Sequence, residues 1–169
     1  MRKFLFLDID GVLVTADILK DYLYDGYQKF NEESINALNK IVGLTGCDII
    51  ISSSWRIGVS LDEFKKIFKV RGFLYPERII DVTPRLYISG KDRYASIPRG
   101  CEIREWLMNN FVNNGNDYKK IGIDYNYLIL DDEDDILYEQ RNNFVNTSFS
   151  KGLTSEHVDL SIKILNFRK

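Results

Sequence analysis

The chain opens on an apolar run that stops abruptly at two acids: Phe4, Leu5, Phe6 and Leu7 lead into Asp8, Ile9, Asp10 and Gly11. A run this short suits a strand of a parallel sheet buried on both faces better than it suits a helix. In an open α/β sheet, ligands bind beyond the carboxyl ends of the strands, where Asp8 and Asp10 fall. Were the strand to continue, both side chains would point to one face. Gly11 lets the backbone leave the strand with a geometry other residues resist. Two acids held together repel unless a cation or proton shares the site. The plainer alternative is a strand-ending turn carrying two solvated acids.

Two more apolar runs end in polar residues. Asp48 to Ile51 is β-branched and feeds Ser52, Ser53, Ser54, Trp55 and Arg56. Serine hydroxyls and N–H groups there suit phosphate oxygens, and Arg56 adds a two-pronged contact; the alternative is a helix cap and loop. Tyr127 to Leu130 feeds Asp131, Asp132, Glu133, Asp134 and Asp135. An EF-hand loop is excluded, because Ile136 and Asn142 stand where that loop needs glycine and glutamate.

Between the strands lie helical patterns. Asn31 caps a helix from Glu32 to Val42, with Ile35, Leu38, Ile41 and Val42 on one face and Gly43 and Gly46 at its end. Leu61, Phe64, Ile67 and Phe68 mark a second helix, ending near Val70 to Gly72. A third opens at Arg99 and carries Ile103, Trp106 and Leu107; a fourth follows Thr154 with Val158, Ile162 and Leu165. Short strands fit 78–81 and 143–147, and 12–30 reads as a helical turn or flap. Residues 85–98 read as a loop or small hairpin over one edge of the site. His157, the only histidine, reads as structural or surface.

The order Asp8-x-Asp10-Gly11, Ser52, Arg99 (with Lys91 as competitor) and Asp131-Asp132 resembles the four motifs of the haloacid dehalogenase (HAD) superfamily, in its phosphatase form. The stretches from Ile51 to Arg56, Arg99 to Leu107 and Leu130 to Asp132 further resemble the HAD domain of Swiss Army knife RNA repair proteins. The resemblance implies a Rossmann-like fold: a central parallel sheet with helices on both faces. It implies Asp8 as the nucleophile, forming an aspartyl-phosphate, and Asp10 as general acid and base. Ser52, Ser53, Arg56 and Arg99 or Lys91 would hold phosphate. Mg²⁺ would be held by Asp8, Asp10, Asp131 and, more indirectly, Asp132. The interval between Asp10 and Ser52 is too short for a cap domain beside the expected helix.

Length and composition agree with one globular domain over 1–169. Hydrophobic residues are 44%, charged ones 28%, and the net charge is −2. Cys47 and Cys101 make no disulfide framework, and reduced thiols in a cytoplasm fit better. No stretch approaches the ~18 apolar residues of a membrane span. No Cys/His cluster suggests zinc, and no obligate protein partner is evident. Residues 56–104 hold eleven Lys or Arg against six Asp or Glu. With Tyr75, Tyr87 and Tyr94, that segment suits nucleic-acid backbone and bases, or is ordinary solvated surface. The expected substrate is a phosphomonoester, with a phosphorylated oligonucleotide end as one form. The alternatives are a nucleotide or sugar phosphate, and a catalytically silent binding module.

Overall fold

The computed structural model describes residues 1–89, 94–112 and 124–167. The opening run forms β1 (Arg2–Leu7), whose Phe4, Leu5, Phe6 and Leu7 are wholly buried. Then follow α1 (Glu32–Thr45), β2 (Asp48–Ile51), α2 (Leu61–Val70) and β3 (Ile79–Val82). A hairpin of β4 (Tyr87–Ser89) and β5 (Tyr94–Ser96) leads to α3 (Arg99–Leu107), β6 (Tyr125–Asp131), β7 (Phe144–Asn146) and α4 (Ser155–Asn166).

β1, β2, β3, β6 and β7 form one parallel sheet in the order β3-β2-β1-β6-β7. This is the expected α/β, Rossmann-like architecture. From β1 the chain steps outward to β2 and β3, then returns to pair β6 on the other side of β1. The reversal puts a switch point between the carboxyl ends of β1 and β6, the crevice where such sheets bind ligands.

Alternation along β1 supplies two apolar layers. Leu5 and Leu7 join Leu38 and Ile41 of α1, Phe64 and Phe68 of α2, and Val158 and Leu165 of α4. Phe4 and Phe6 face the other way, onto Ile103, Trp106 and Leu107 of α3. Helices therefore cover both faces. The second layer is aromatic: Trp106 meets Phe4 and Phe6 edge-on at 5.3 and 5.4 Å, and Phe111 stacks on Tyr125 at 4.4 Å. The Trp106 indole N–H is satisfied by Asp81 at 2.7 Å, as a buried donor must be.

Helix ends follow local chemistry. Asn31 accepts from the Ser34 N–H at 3.2 Å, and two acids stand in the first turn of α1, where the helix dipole favours them. α1 runs one turn past its expected end. Gly43 lies inside it because the Tyr75 hydroxyl packs where a side chain would be; Gly46, at φ 63°, is the stop. At α4, His157 accepts from the Thr154 N–H at 3.0 Å, a structural role as expected. Tyr75 packs its hydroxyl against Gly43, near the end of α1.

Residues 12–30 form a flap rather than a cap domain, with one antiparallel bridge between Tyr22 and Gln28. Arg71, whose side chain is 1% exposed, pins it to α2. Its guanidinium donates to both Asp25 oxygens at 2.7 and 2.8 Å and to the carbonyls of Tyr27, Gln28 and Ile67. Among the described residues no helix is long and apolar enough to cross a membrane, and Cys47 and Cys101 are free.

The aromatic layer makes a stability prediction. Phe4→Ala removes a wholly buried ring that touches Trp106, Phe111 and Tyr125. It should cost about 3–5 kcal/mol, read as a lower midpoint in urea unfolding.

Candidate active site

Each functional side chain is delivered by a strand end or a helix start. Asp8 follows β1 directly, and its N–H donates to the Leu130 carbonyl of β6 at 3.0 Å. Asp131 closes β6 and is 1% exposed. Asp132 follows it and lies under Gly11. A methyl at Gly11 would run into the Asp132 carboxylate, and the backbone φ of 73° already disfavours a side chain. Glycine is thus required twice over, by conformation and by room for an acid.

Asp8, Asp131 and Asp132 each offer an oxygen, and the three lie within 4.8 Å of one another. Arg99, at the start of α3, stands between the first two. Its Nε is 3.5 Å from Asp131 and its Nη2 4.0 Å from Asp8. Gly100 allows that approach: a side chain there would collide with the backbone N of Leu137 and the Gln140 amide. The N-terminus of α3 is tied down by Asp135, which accepts from the Arg99 N–H at 2.8 Å.

Ser52 follows β2, and its N–H donates to the Leu7 carbonyl at 2.8 Å, which sets it beside Asp8. Its hydroxyl is buried and meets that of Thr83 at 3.4 Å. Ser53 accepts from the Trp55 N–H at 3.4 Å and so caps a short turn, while its side chain also reaches Asp8. Arg56 donates to the Ser53 carbonyl at 2.6 Å and pairs with Glu102, while its buried Nε has no hydrogen-bond partner among the described residues. Lys91 lies outside the described residues, and Arg99 is the basic side chain that the described structure brings to Asp8 and Asp131.

Asp10 differs from the expected ligand set. Its carboxylate is not gathered with the other three but accepts from the Trp55 indole N–H at 3.0 Å. Two residues were not anticipated. Glu102, buried, accepts from Arg56 and from the Leu86 N–H at 3.0 Å, and lies 3.8 Å from Arg99. The i,i+3 spacing from Arg99 was its only signal in the sequence. Trp55 gave none beyond its place after the serines.

Burial dominates the electrostatics. It raises the Asp8 carboxyl above its usual range, against the opposing pull of Arg99 and the Ser53 hydrogen bond. Asp131 is raised by burial and then by the charge of Asp8. Burial also raises Asp10 and Asp132, with Trp55 opposing at Asp10. Burial lowers Arg56, and Glu102 opposes it. With all three acids ionised, the cluster carries −3 and Arg99 returns +1. The remaining −2 on hard oxygen donors suits a divalent cation such as Mg²⁺.

A parallel sheet with an acid pair at its first strand end and a second acid pair across the switch point defines an α/β protein of HAD architecture. The model of the HAD domain in Swiss Army Knife RNA repair proteins matches residues 4–158, and the chain belongs to that family. Comparison with curated proteins and with solved structures gives no match. The family makes the site phosphatase-like in type.

The acids make a linkage prediction. A carboxyl raised in the fold leaves the native state holding more protons than the unfolded one, so stability falls as pH rises through the window. That window opens at the ordinary 3.8 and reaches about 8 for Asp131. In chelator, the melting temperature should fall between pH 5 and pH 8. At pH 8, Asp131→Asn should melt about 3–8 °C above wild type, for roughly 1–3 kcal/mol of relieved charge burial. Mg²⁺ binds the native state, so it should raise the wild type and move the variant much less. Equal Mg²⁺ shifts in both would put the ion elsewhere.

Proposed function

We propose that the chain is a Mg²⁺-dependent phosphomonoesterase that works through an aspartyl-phosphate on Asp8. One observation carries the reading: buried Asp8 and Asp131 and half-buried Asp132 gathered at the switch point, with Arg99 against the first two. A silent binding module gains nothing from burying two acids in mutual repulsion with a third beside them, where substitution by neutral residues would stabilise it. Asp8, Asp131 and Asp132 would hold Mg²⁺, which when bound offsets charge on the phosphoryl oxygens.

The remaining chemistry belongs to the chain. An Asp8 oxygen attacks phosphorus in line, the bond to the leaving oxygen breaks, and Asp10 gives that oxygen its proton. Water then attacks the aspartyl-phosphate and passes its proton to Asp10. The bond to Asp8 breaks, inorganic phosphate departs, and both acids return to their starting states. Arg99 supplies fixed positive charge beside the attacking carboxylate, and the Ser52 hydroxyl is placed to hold a phosphoryl oxygen. Glu102 keeps Arg56 and Arg99 from following the substrate.

For the substrate we favour a phosphorylated nucleic-acid end. The description of the family as RNA repair supports it, and so does a flap too small to enclose a small molecule. An open site must draw binding from beyond the phosphate. The surplus of basic residues in 56–104 supports it less than its count suggests. Arg71, Arg78 and Arg104 pair with acids outside that segment, namely Asp25, Asp48 and Glu139.

Two measurements test this. Asp8→Asn should fold as wild type and lose Mg²⁺-dependent hydrolysis of p-nitrophenyl phosphate by at least about 10³-fold; retained turnover ends the mechanism. A 3′- or 5′-phosphorylated oligonucleotide should show a higher kcat/KM than the matching mononucleotide, with the advantage shrinking in salt. A mononucleotide that does equally well at both salts makes this a small-molecule phosphatase.

A further inference from the structure

Asp10 is held from outside the acidic cluster. Its Oδ2 accepts from the Trp55 indole N–H at 3.0 Å. An indole N–H only donates, so that oxygen is engaged as an acceptor, and Oδ1 has no hydrogen-bond partner among the described residues. The backbone beneath is fixed. The Ile9 carbonyl accepts from Leu13 and Val14 at 2.8 and 2.9 Å, and the Gly11 N–H donates to the Val14 carbonyl at 2.8 Å. Only the side-chain torsions of Asp10 remain free, and the indole restricts them.

Trp55 is itself braced by the flap. The Tyr27 ring stacks on it at 5.4 Å with 29° between planes, and Phe30 leans against it at 6.3 Å. Tyr27 in turn donates its N–H to Asp25 at 3.2 Å, and Asp25 and the Tyr27 carbonyl are both gripped by buried Arg71. A guanidinium so fully used holds its partners in one arrangement. The line of contacts runs from α2 through Arg71, Tyr27 and Trp55 to the carboxylate of Asp10.

We propose that Trp55 is the positioning residue of Asp10. It turns Oδ1 toward the leaving oxygen, and the flap acts on the chemistry through the Tyr27–Trp55 stack rather than by covering the site. The proposal rests on the reading of Asp10 as acid and base.

The test is the dependence of kcat/KM on the leaving group, which reports the steps up to its departure. p-Nitrophenolate leaves without a proton; phenol and an alkyl alcohol need one. Trp55→Phe keeps a ring under Tyr27 and removes the N–H. It should leave p-nitrophenyl phosphate within about twofold of wild type and slow phenyl and alkyl phosphates by about 10–100-fold, a part of what general acid catalysis supplies. Tyr27→Leu keeps the N–H and loosens the indole, so it should steepen the dependence to a lesser degree. It also serves should Trp55→Phe fail to fold. Asp10→Asn is the reference and should be steepest. If Asp10→Asn steepens the dependence while both other variants slow every substrate equally, or none, the proposal is overturned and the acid–base reading stands. If Asp10→Asn leaves the dependence as in wild type, that reading falls and takes the proposal with it.

Discussion

Repulsion between Asp8 and Asp131 is the constraint around which the molecule is arranged. Adjacent parallel strands, β1 and β6, end in acids at one depth, and both are almost fully buried. Sheet pairing makes this unavoidable, since the register that seals Phe4 to Leu7 against Tyr127 to Leu130 also aligns the two strand ends. A buried carboxylate without a partner is among the costliest groups a fold can hold. Much of the loop structure at this end answers that cost. α3 starts where Arg99 reaches both acids, Asp135 fixes that start, and Gly100 and Gly11 clear the space.

A second tier keeps Arg99 from collapsing onto the acids alone. Glu102, one turn into α3, lies near Arg99 and pairs with Arg56, and the Leu86 N–H satisfies its other oxygen. Alternating signs run from Asp131 through Arg99 and Glu102 to Arg56. In such a chain the two middle ions, Arg99 and Glu102, each have an opposite charge on either side, and neither can move without leaving another unpaired. Preorganised charge of this kind is what transition-state stabilisation asks of a site, because nothing must reorient when the reaction begins.

Much of this was legible in the sequence, and the boundary is instructive. The strands were, because Phe4 to Leu7, Asp48 to Ile51 and Tyr127 to Leu130 are apolar runs ending in polar residues, and buried parallel strands leave that mark. The placement of Asp8, Ser52, Arg99 and Asp131 was legible for the same reason: they fall at strand ends and a helix start, where such a sheet binds ligands. Charge pairing was not. Arg71 fell at the expected end of a helix, yet it is a buried staple to Asp25, 46 residues away along the chain. The basic surplus of 56–104 is smaller in the fold than in the sequence for that reason, since a linear count cannot see partners brought in by folding. Gly43 is a similar case: it looked like a helix stop and is instead the notch that receives the Tyr75 hydroxyl.

The flap links these two tiers to the chemistry. A full cap domain between β1 and α1 would enclose a small substrate; residues 12–30 are too few, and part of their polar groups goes to holding shape. Asp25 and the carbonyls of Tyr27 and Gln28 go to Arg71, and the Tyr27 hydroxyl reaches Glu63 at 3.3 Å. Its exposed side chains, among them Lys20, Tyr24 and Lys29, lie apart from that anchoring. What it presents inward is the face of Tyr27 against Trp55, and through that indole the carboxylate of Asp10. Where other sheets of this architecture use the interval after the first strand to close over a substrate, this one uses it to fix the direction of a single acid.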